Sequence, residues 1–160
     1  MIGDIASVVG AIIGLIGFVI IIINVRSSRK AAMQAENAVL KVRVDIQRLH
    51  SVEDFSSALA AMTEIKTLHR QQIWQLLPER YSALRKSLIS IRATTPDLSE
   101  DQKTTLQNAI HNFSTMEADV EKFLADGSES PDVARFNIAV SRQFDRLQQI
   151  LVEIKQHIGR

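Results

Sequence analysis

The chain contains no cysteine, only three prolines and only six glycines among its 160 residues. The absence of cysteine excludes disulfides and thiolate metal sites, and it fits a reducing compartment. The scarcity of helix-breaking residues predicts long helices that end where Pro78, Pro96, Gly127 and Pro131 occur. Aromatic residues make up only 5% of the chain, so it also offers few rings on which nucleic-acid bases could stack.

Charged side chains are absent from residues 5–25, a run of 21 residues between Asp4 and Arg26. As a helix with a rise of ~1.5 Å per residue, this run would be roughly 31 Å long, which matches the hydrocarbon core of a bilayer. No basic residue precedes it, whereas Arg26, Arg29 and Lys30 follow it. The run therefore predicts a transmembrane helix rather than a signal peptide, with the N-terminus outside and the remaining domain in the cytoplasm. The three basic residues are expected at the membrane surface, against anionic lipid.

Small residues recur at intervals of four and three along one side of this predicted helix, and two larger residues follow at the same spacing. The strip comprises Gly3, Ser7, Gly10, Gly14, Gly17, Ile21 and Asn24. Small side chains let helices approach closely in lipid, so the strip predicts a homo-oligomer and a candidate pore lining. The alternative is a plain anchor with incidental glycines, in which Asn24 is an ordinary interfacial residue.

The rest of the chain has the apolar periodicity of amphipathic helices. We predict an all-α fold, in which one N-terminal transmembrane helix continues into an elongated antiparallel cytosolic helical bundle. The expected domains are a transmembrane segment at 1–25, a juxtamembrane helix at 26–50 continuous with it, and a four-helix bundle at 51–160. A turn is expected at His50 and Ser51, where Ser51 would begin a new helix as its N-cap.

Three further helix boundaries are marked by their residues. Pro78 is expected in the first turn of a helix, since proline needs no hydrogen-bond acceptor there. Ser99 with Gln102 three residues later predicts a capping box, and Gly127 is expected to end that helix. Ser130 and Pro131 predict the start of the last helix.

Two basic rows stand out in the predicted bundle. They comprise Arg80, Arg85, Lys86 and Arg92 on one helix, and Arg135, Arg142 and Arg146 on another. Such rows could bind the phosphates of a nucleotide or single strand. The alternative is a pair of solvated faces whose charges pair with nearby acidic side chains.

No enzyme signature is present. The sequence has no nucleophile elbow, P-loop or dinucleotide fingerprint, and its histidines do not show metal-ligand spacing; they are His50, His69, His111 and His157. We therefore predict a non-enzymatic chain without metal or cofactor. Two functions fit: an oligomeric single-pass membrane effector that forms a gated ion channel or disrupts the membrane, and a membrane-anchored adaptor that recruits a protein through its bundle.

The uncharged run at residues 5–25, its flank of Arg26, Arg29 and Lys30, and the helical remainder resemble small single-span membrane effectors of bacterial antiphage defence systems. The similarity is closest to Hailong-type channel effectors and is one of architecture. It implies a homo-oligomeric ion channel in the bacterial inner membrane, with a tetramer among the fitting stoichiometries. It also implies a companion nucleotidyltransferase-like protein, whose single-stranded DNA oligomer would bind the cytosolic part and keep the channel shut.

Overall fold

The computed structural model describes the backbone of residues 2–127 and 129–156, and the side chains of residues 33–127 and 129–156. These residues form four α-helices and one short 3₁₀ turn, without a β-strand among them. The elements are α1 (Ile2–Arg70), the 3₁₀ turn η1 (Trp74–Leu76), α2 (Leu77–Thr94), α3 (Glu100–Asp126) and α4 (Val133–Gln156). The all-helical part of the predicted fold agrees with this structure.

α1 continues without interruption through His50 and Ser51, so the predicted turn there is wrong. The Ser51 hydroxyl donates to the carbonyl oxygen of Gln47 at 2.9 Å, which satisfies it inside the helix instead of at a new N-terminus. No glycine or proline lies between residues 18 and 77, so nothing in that stretch breaks the backbone ladder.

The other boundaries follow their capping residues. Pro78 lies in the first turn of α2, and Ser99 forms the expected capping box with Gln102 at the start of α3. Gly127 ends α3 in the left-handed conformation, with φ of 64°. α4 begins two residues later than predicted, because Asp132 rather than Ser130 accepts hydrogen bonds from the first amide groups.

The chain consists of two compact units, residues 1–43 and residues 44–160. In the first unit, every described side chain, from residue 33 to residue 43, is exposed. The second unit contains the hydrophobic core, to which α1 contributes from Phe55 onward. The largest fully buried apolar side chains are Tyr81, Phe55, Phe113, Met62, Ile65, Leu77, Leu88, Ile91, Leu106, Leu147 and Val120.

Side-chain contacts in the second unit give the helix directions. Arg85 and Arg92 of α2 contact Ser114 and Gln107 of α3 respectively, so residue numbers rise along one helix as they fall along the other. Lys66 of α1 donates to Ser141 of α4 at 2.8 Å, and further along α1 His69 contacts Asn137. These pairings define an antiparallel four-helix bundle.

The predicted transmembrane helix is corrected. No helix of the described residues is long and apolar enough to cross a membrane. Along α1 from residue 33 onward, charged side chains such as Glu36, Lys41 and Arg43 interrupt the apolar ones. This finding contradicts the predicted fold class and, with it, the predicted membrane protein and ion channel. The run at 5–25 on which those predictions rested lies outside the side chains that the structure describes.

Candidate functional site

An exposed row of large apolar side chains lies on α1, on the N-terminal side of the residues that enter the core. Val39 is 67% exposed, Val42 58%, Ile46 48% and Leu49 55%. We call these four residues the α1 stripe. Six of the eleven exposed large hydrophobic residues in the described chain fall within residues 33–49, so exposed apolar surface is concentrated there. Concentrated apolar surface of this kind marks an interaction site.

Within residues 44–160, the stripe residues Ile46 and Leu49 face away from the core. Ser51 is buried and Arg48 is half-buried, whereas Ile46 and Leu49 are about half exposed. Each residue advances the helix by ~100°, so Ser51 points ~200° away from Leu49. Within residues 44–160, the bundle therefore uses the side of α1 that carries Ser51, and Ile46 and Leu49 lie on the opposite side.

The spacing of the stripe is that of a coiled coil. Its members are separated by three, four and three positions, which places Val39 and Ile46 at a positions and Val42 and Leu49 at d positions of a heptad. Helices with this spacing pack side by side, with each a or d side chain inserted between four side chains of the facing helix. The stripe is therefore shaped to receive another helix.

Charged residues border the stripe. In the same heptad, Glu36, Arg43 and His50 take the e positions, and Asp45 takes a g position. Asp45 pairs with Arg48 at 3.3 Å within its own helix. Arg48 also bonds to Asp97 in the α2–α3 connection at 2.8 Å, which ties this part of α1 to the bundle.

The basic residues predicted on α2 do not form one continuous surface. Arg80 pairs with Glu64 at 3.2 Å, and Arg92 donates to Gln107. Arg85 is half-buried against Glu117, with 2.7 Å between its Nη2 and Oε2. Lys86 is exposed. Three of the four predicted phosphate-binding cations on α2 thus contact a polar side chain of a neighbouring helix.

The three basic residues predicted on α4 are exposed, and two of them, Arg135 and Arg146, lie beside acidic side chains. Arg135 lines a cavity of about 400 Å³ that Asp119, Glu129 and Asp132 also line. Arg146 lines another with Asp101 and Glu153. Arg142 is exposed as well. Phosphate binding by either basic row stays a prediction.

A polar network that the sequence did not reveal is buried in the core. His69 is fully buried; its Nδ1 lies 2.9 Å from Asn137 Oδ1, and its Nε2 lies 2.5 Å from Tyr81 Oη. The arrangement assigns the tautomer: Nδ1–H donates to the amide oxygen, and the phenol donates to Nε2. The rings of Trp74 and Phe136 surround the imidazole.

Burial sets the protonation of this network. Desolvation lowers the pKa of His69, and the hydrogen bond to Asn137 opposes that shift only in part. Desolvation, with a smaller contribution from the charge of Asp119, raises the pKa of Tyr81. Both groups are therefore neutral near pH 7. All three polar side chains are satisfied, so the network is a structural link between α1, α2 and α4.

The remaining predicted sites fall largely outside the described residues. These are the strip of Gly3, Ser7, Gly10, Gly14, Gly17, Ile21 and Asn24, and the basic flank of Arg26, Arg29 and Lys30. Within the part of the chain that the structure describes, no cluster of three or more histidine or carboxylate side chains could hold a metal ion. The α1 stripe was visible in the sequence only as helical periodicity, which does not say whether a face is covered.

No protein-family model, no curated protein and no solved structure matches this chain.

Proposed function

We propose that this chain is a non-catalytic helical interaction module, which docks another helix along the α1 stripe while its bundle stays folded. The α1 stripe carries the proposal, because it combines exposed apolar side chains with the spacing of a helix-packing face. Since Ile46 and Leu49 are exposed and do not belong to the core, a helix docked on them would displace no core contact.

The size of the stripe predicts reversible docking. Burying the exposed half of a Val, Ile or Leu side chain contributes ~1 kcal/mol. Two facing stripes would then contribute roughly 8 kcal/mol, against an association cost of about 4–15 kcal/mol. Assembly through these residues should therefore depend on protein concentration unless further contacts add to it.

Two uses of such a module fit: assembly of copies of this chain, and recruitment of a different protein. The role in antiphage defence, the companion nucleotidyltransferase-like protein and its DNA oligomer, and the position in a bacterial inner membrane stay predictions from the sequence.

Amine-reactive crosslinking of the full chain in intact expressing cells tests the proposal. The variant is Ile46→Glu, which places a charge in the stripe. The matched control is Ile89→Glu on α2, since Ile89 is 50% exposed and Ile46 48% exposed. We expect the parent chain and Ile89→Glu to give crosslinked bands above the 17.9 kDa monomer, and Ile46→Glu to lose them.

Equal crosslinking of Ile46→Glu and Ile89→Glu would overturn the proposal, as would a parent chain that gives only monomer. Resistance to proteolysis in the same lysates separates loss of docking from loss of folding. Both variants should resist as the parent does, because neither isoleucine belongs to the core.

A further inference from the structure

An open cavity of about 470 Å³ lies between the last turns of α2 and the first turns of α3. Its wall contains two cations, Arg92 from α2 and Lys103 from α3, together with Thr104. Ile89 and Ala93 form an apolar part of the wall on α2. We call this space the α2–α3 cavity. Because its two cations come from two packed helices and face the same space, both are available to one anion bound there.

Arg92 is held in position without being neutralised. Its guanidinium donates to the side-chain oxygen of Gln107, which lies on α3 and also lines the cavity. Among the described residues, no carboxylate forms an ion pair with Arg92. Arg80 and Arg85 of the same helix, by contrast, pair with glutamates of neighbouring helices. A neutral amide occupies part of the guanidinium of Arg92 and leaves its charge and its other N–H groups to an anion.

One carboxylate competes with such an anion for Lys103. Glu100 Oε1 lies 2.8 Å from Lys103 Nζ, three residues away on α3. The Glu100 side chain is 88% exposed, and an ion pair this exposed to solvent contributes little to stability. An anion that contacts Arg92 as well as Lys103 gains a second cation, which Glu100 does not have. Such an anion can therefore take the place of Glu100 beside Lys103.

The wall of the cavity favours a small phosphate ester over a nucleic-acid strand. A phosphate group has several oxygens, so it can accept hydrogen bonds from a guanidinium and an ammonium group together. Among the described residues, no aromatic side chain lines the cavity, so it offers no ring for base stacking. The basic row does not continue as a track for a strand, because Arg80 and Arg85 are engaged by glutamates. Ile89, which is 50% exposed, and Ala93 suit an aliphatic body.

We propose that the α2–α3 cavity binds the phosphate group of a small aliphatic phosphate monoester. Arg92 and Lys103 contact the phosphate oxygens, and Gln107 positions Arg92. This binding site goes beyond helix docking and does not depend on it, because no residue of the α1 stripe lines the cavity.

Isothermal titration calorimetry of the purified full chain with glycerol 3-phosphate tests the proposal, with glycerol as the ligand that lacks the phosphate. We expect Arg92→Gln and Lys103→Gln each to weaken binding by at least ~10-fold, because each removes a charged donor. The matched control is Arg142→Gln on α4, since Arg142 is exposed and does not line the cavity. A parent chain that does not bind glycerol 3-phosphate, or equal weakening by Arg92→Gln and Arg142→Gln, would overturn the proposal.

Glu100→Gln tests the same site in the opposite direction. Removing the competing carboxylate should tighten binding of glycerol 3-phosphate by ~2–5-fold. A gain in affinity cannot result from a loss of folding, so weaker or unchanged binding in this variant would count against the cavity. A single-stranded oligonucleotide that binds the parent chain more tightly than glycerol 3-phosphate, and loses that binding in Arg92→Gln, would overturn the choice of a small ester.

Discussion

Leu49 and Ser51 are separated by a single residue of α1, yet Leu49 is 55% exposed and Ser51 is 3% exposed. The two side chains point to opposite sides of one uninterrupted helix. From Ser51 onward the inward side carries the core, whereas Ile46 and Leu49 of the α1 stripe lie on the outward side. The residues that hold the bundle together and the residues proposed to dock another helix can therefore be altered separately.

Leu49→Lys should leave the bundle as stable as the parent, within about 0.5 kcal/mol, because the side chain is exposed. Phe55→Ala, six residues later, should lower the free energy of unfolding by about 3–5 kcal/mol, since Phe55 is fully buried. Urea unfolding at high dilution measures both, with Trp74 as the reporter, because it is the only tryptophan and is buried. A loss above ~1 kcal/mol for Leu49→Lys would show that Leu49 belongs to the fold.

Tyr81→Phe should lower the free energy of unfolding by about 1–3 kcal/mol, because it leaves the buried Nε2 of His69 without a hydrogen-bond donor. The ring itself is retained, so packing against Phe113 is preserved. Urea unfolding of the variant and the parent at pH 7.5 measures the difference. The double variant Tyr81→Phe, His69→Leu removes both polar partners. Its loss in free energy of unfolding should be smaller than the sum of the losses of the two single variants.

Stability should decline on mild acidification through His69. Its pKa is lowered in the folded state, so the unfolded chain binds a proton first. The free energy of unfolding therefore has its full value above about pH 6.5, the pKa of histidine in the unfolded chain, and it falls as the pH drops below that value. The slope contributed by one such group is at most ~1.4 kcal/mol per pH unit.

Unfolding measured between pH 7.5 and pH 5 gives this slope. His69→Gln should flatten it, whereas His50→Gln, at an exposed position, should not. A parent chain with constant stability over this range, or a slope that survives His69→Gln, would contradict the assignment.

Local signals in the sequence predicted much of the fold. Ser99 with Gln102 and the isolated Gly127 determine the ends of α3 through interactions within a few residues, so they could be recognised without the structure. Ser51 has a similar signal, but its hydroxyl bonds back to Gln47. The choice between these two bonds depends on whether the helix continues through residue 51, which the residues next to Ser51 do not reveal.

Relationships between distant residues could not be predicted. Nothing in the sequence indicated the hydrogen bonds of His69, because its partners Tyr81 and Asn137 are 12 and 68 residues away. The α1 stripe shows the same limit: Ile46 and Leu49 have the periodicity of a buried face, yet they are 48% and 55% exposed. Periodicity identifies a face but not what covers it.

Gly127→Ala should lower the free energy of unfolding by about 1 kcal/mol, because residue 127 has φ of 64°, where a Cβ is strained. Among the described residues other than its chain neighbours, no atom lies within 4 Å of the position that the added Cβ would occupy, so the expected cost is backbone strain. Gly127→Asn is the matched control and should cost less, since asparagine tolerates this conformation. Thermal unfolding ranks the two variants by stability. An alanine variant as stable as the parent would show that the backbone at residue 127 is not strained by a Cβ.

Arg85→Gln should destabilise the bundle by about 1–3 kcal/mol, whereas Lys86→Gln should stay within about 0.5 kcal/mol. Arg85 bonds to Glu117, whose side chain is only 14% exposed, so removing the guanidinium leaves a largely buried carboxylate without its cation. Lys86, the next residue, is exposed. Urea unfolding gives both values. Equal, small losses of stability in the two variants would mean that the ion pair of Arg85 with Glu117 is weak and that Arg85 can bind an anionic ligand. The expected difference would assign Arg85 to the fold and leave Lys86 as the better candidate on α2 for phosphate binding.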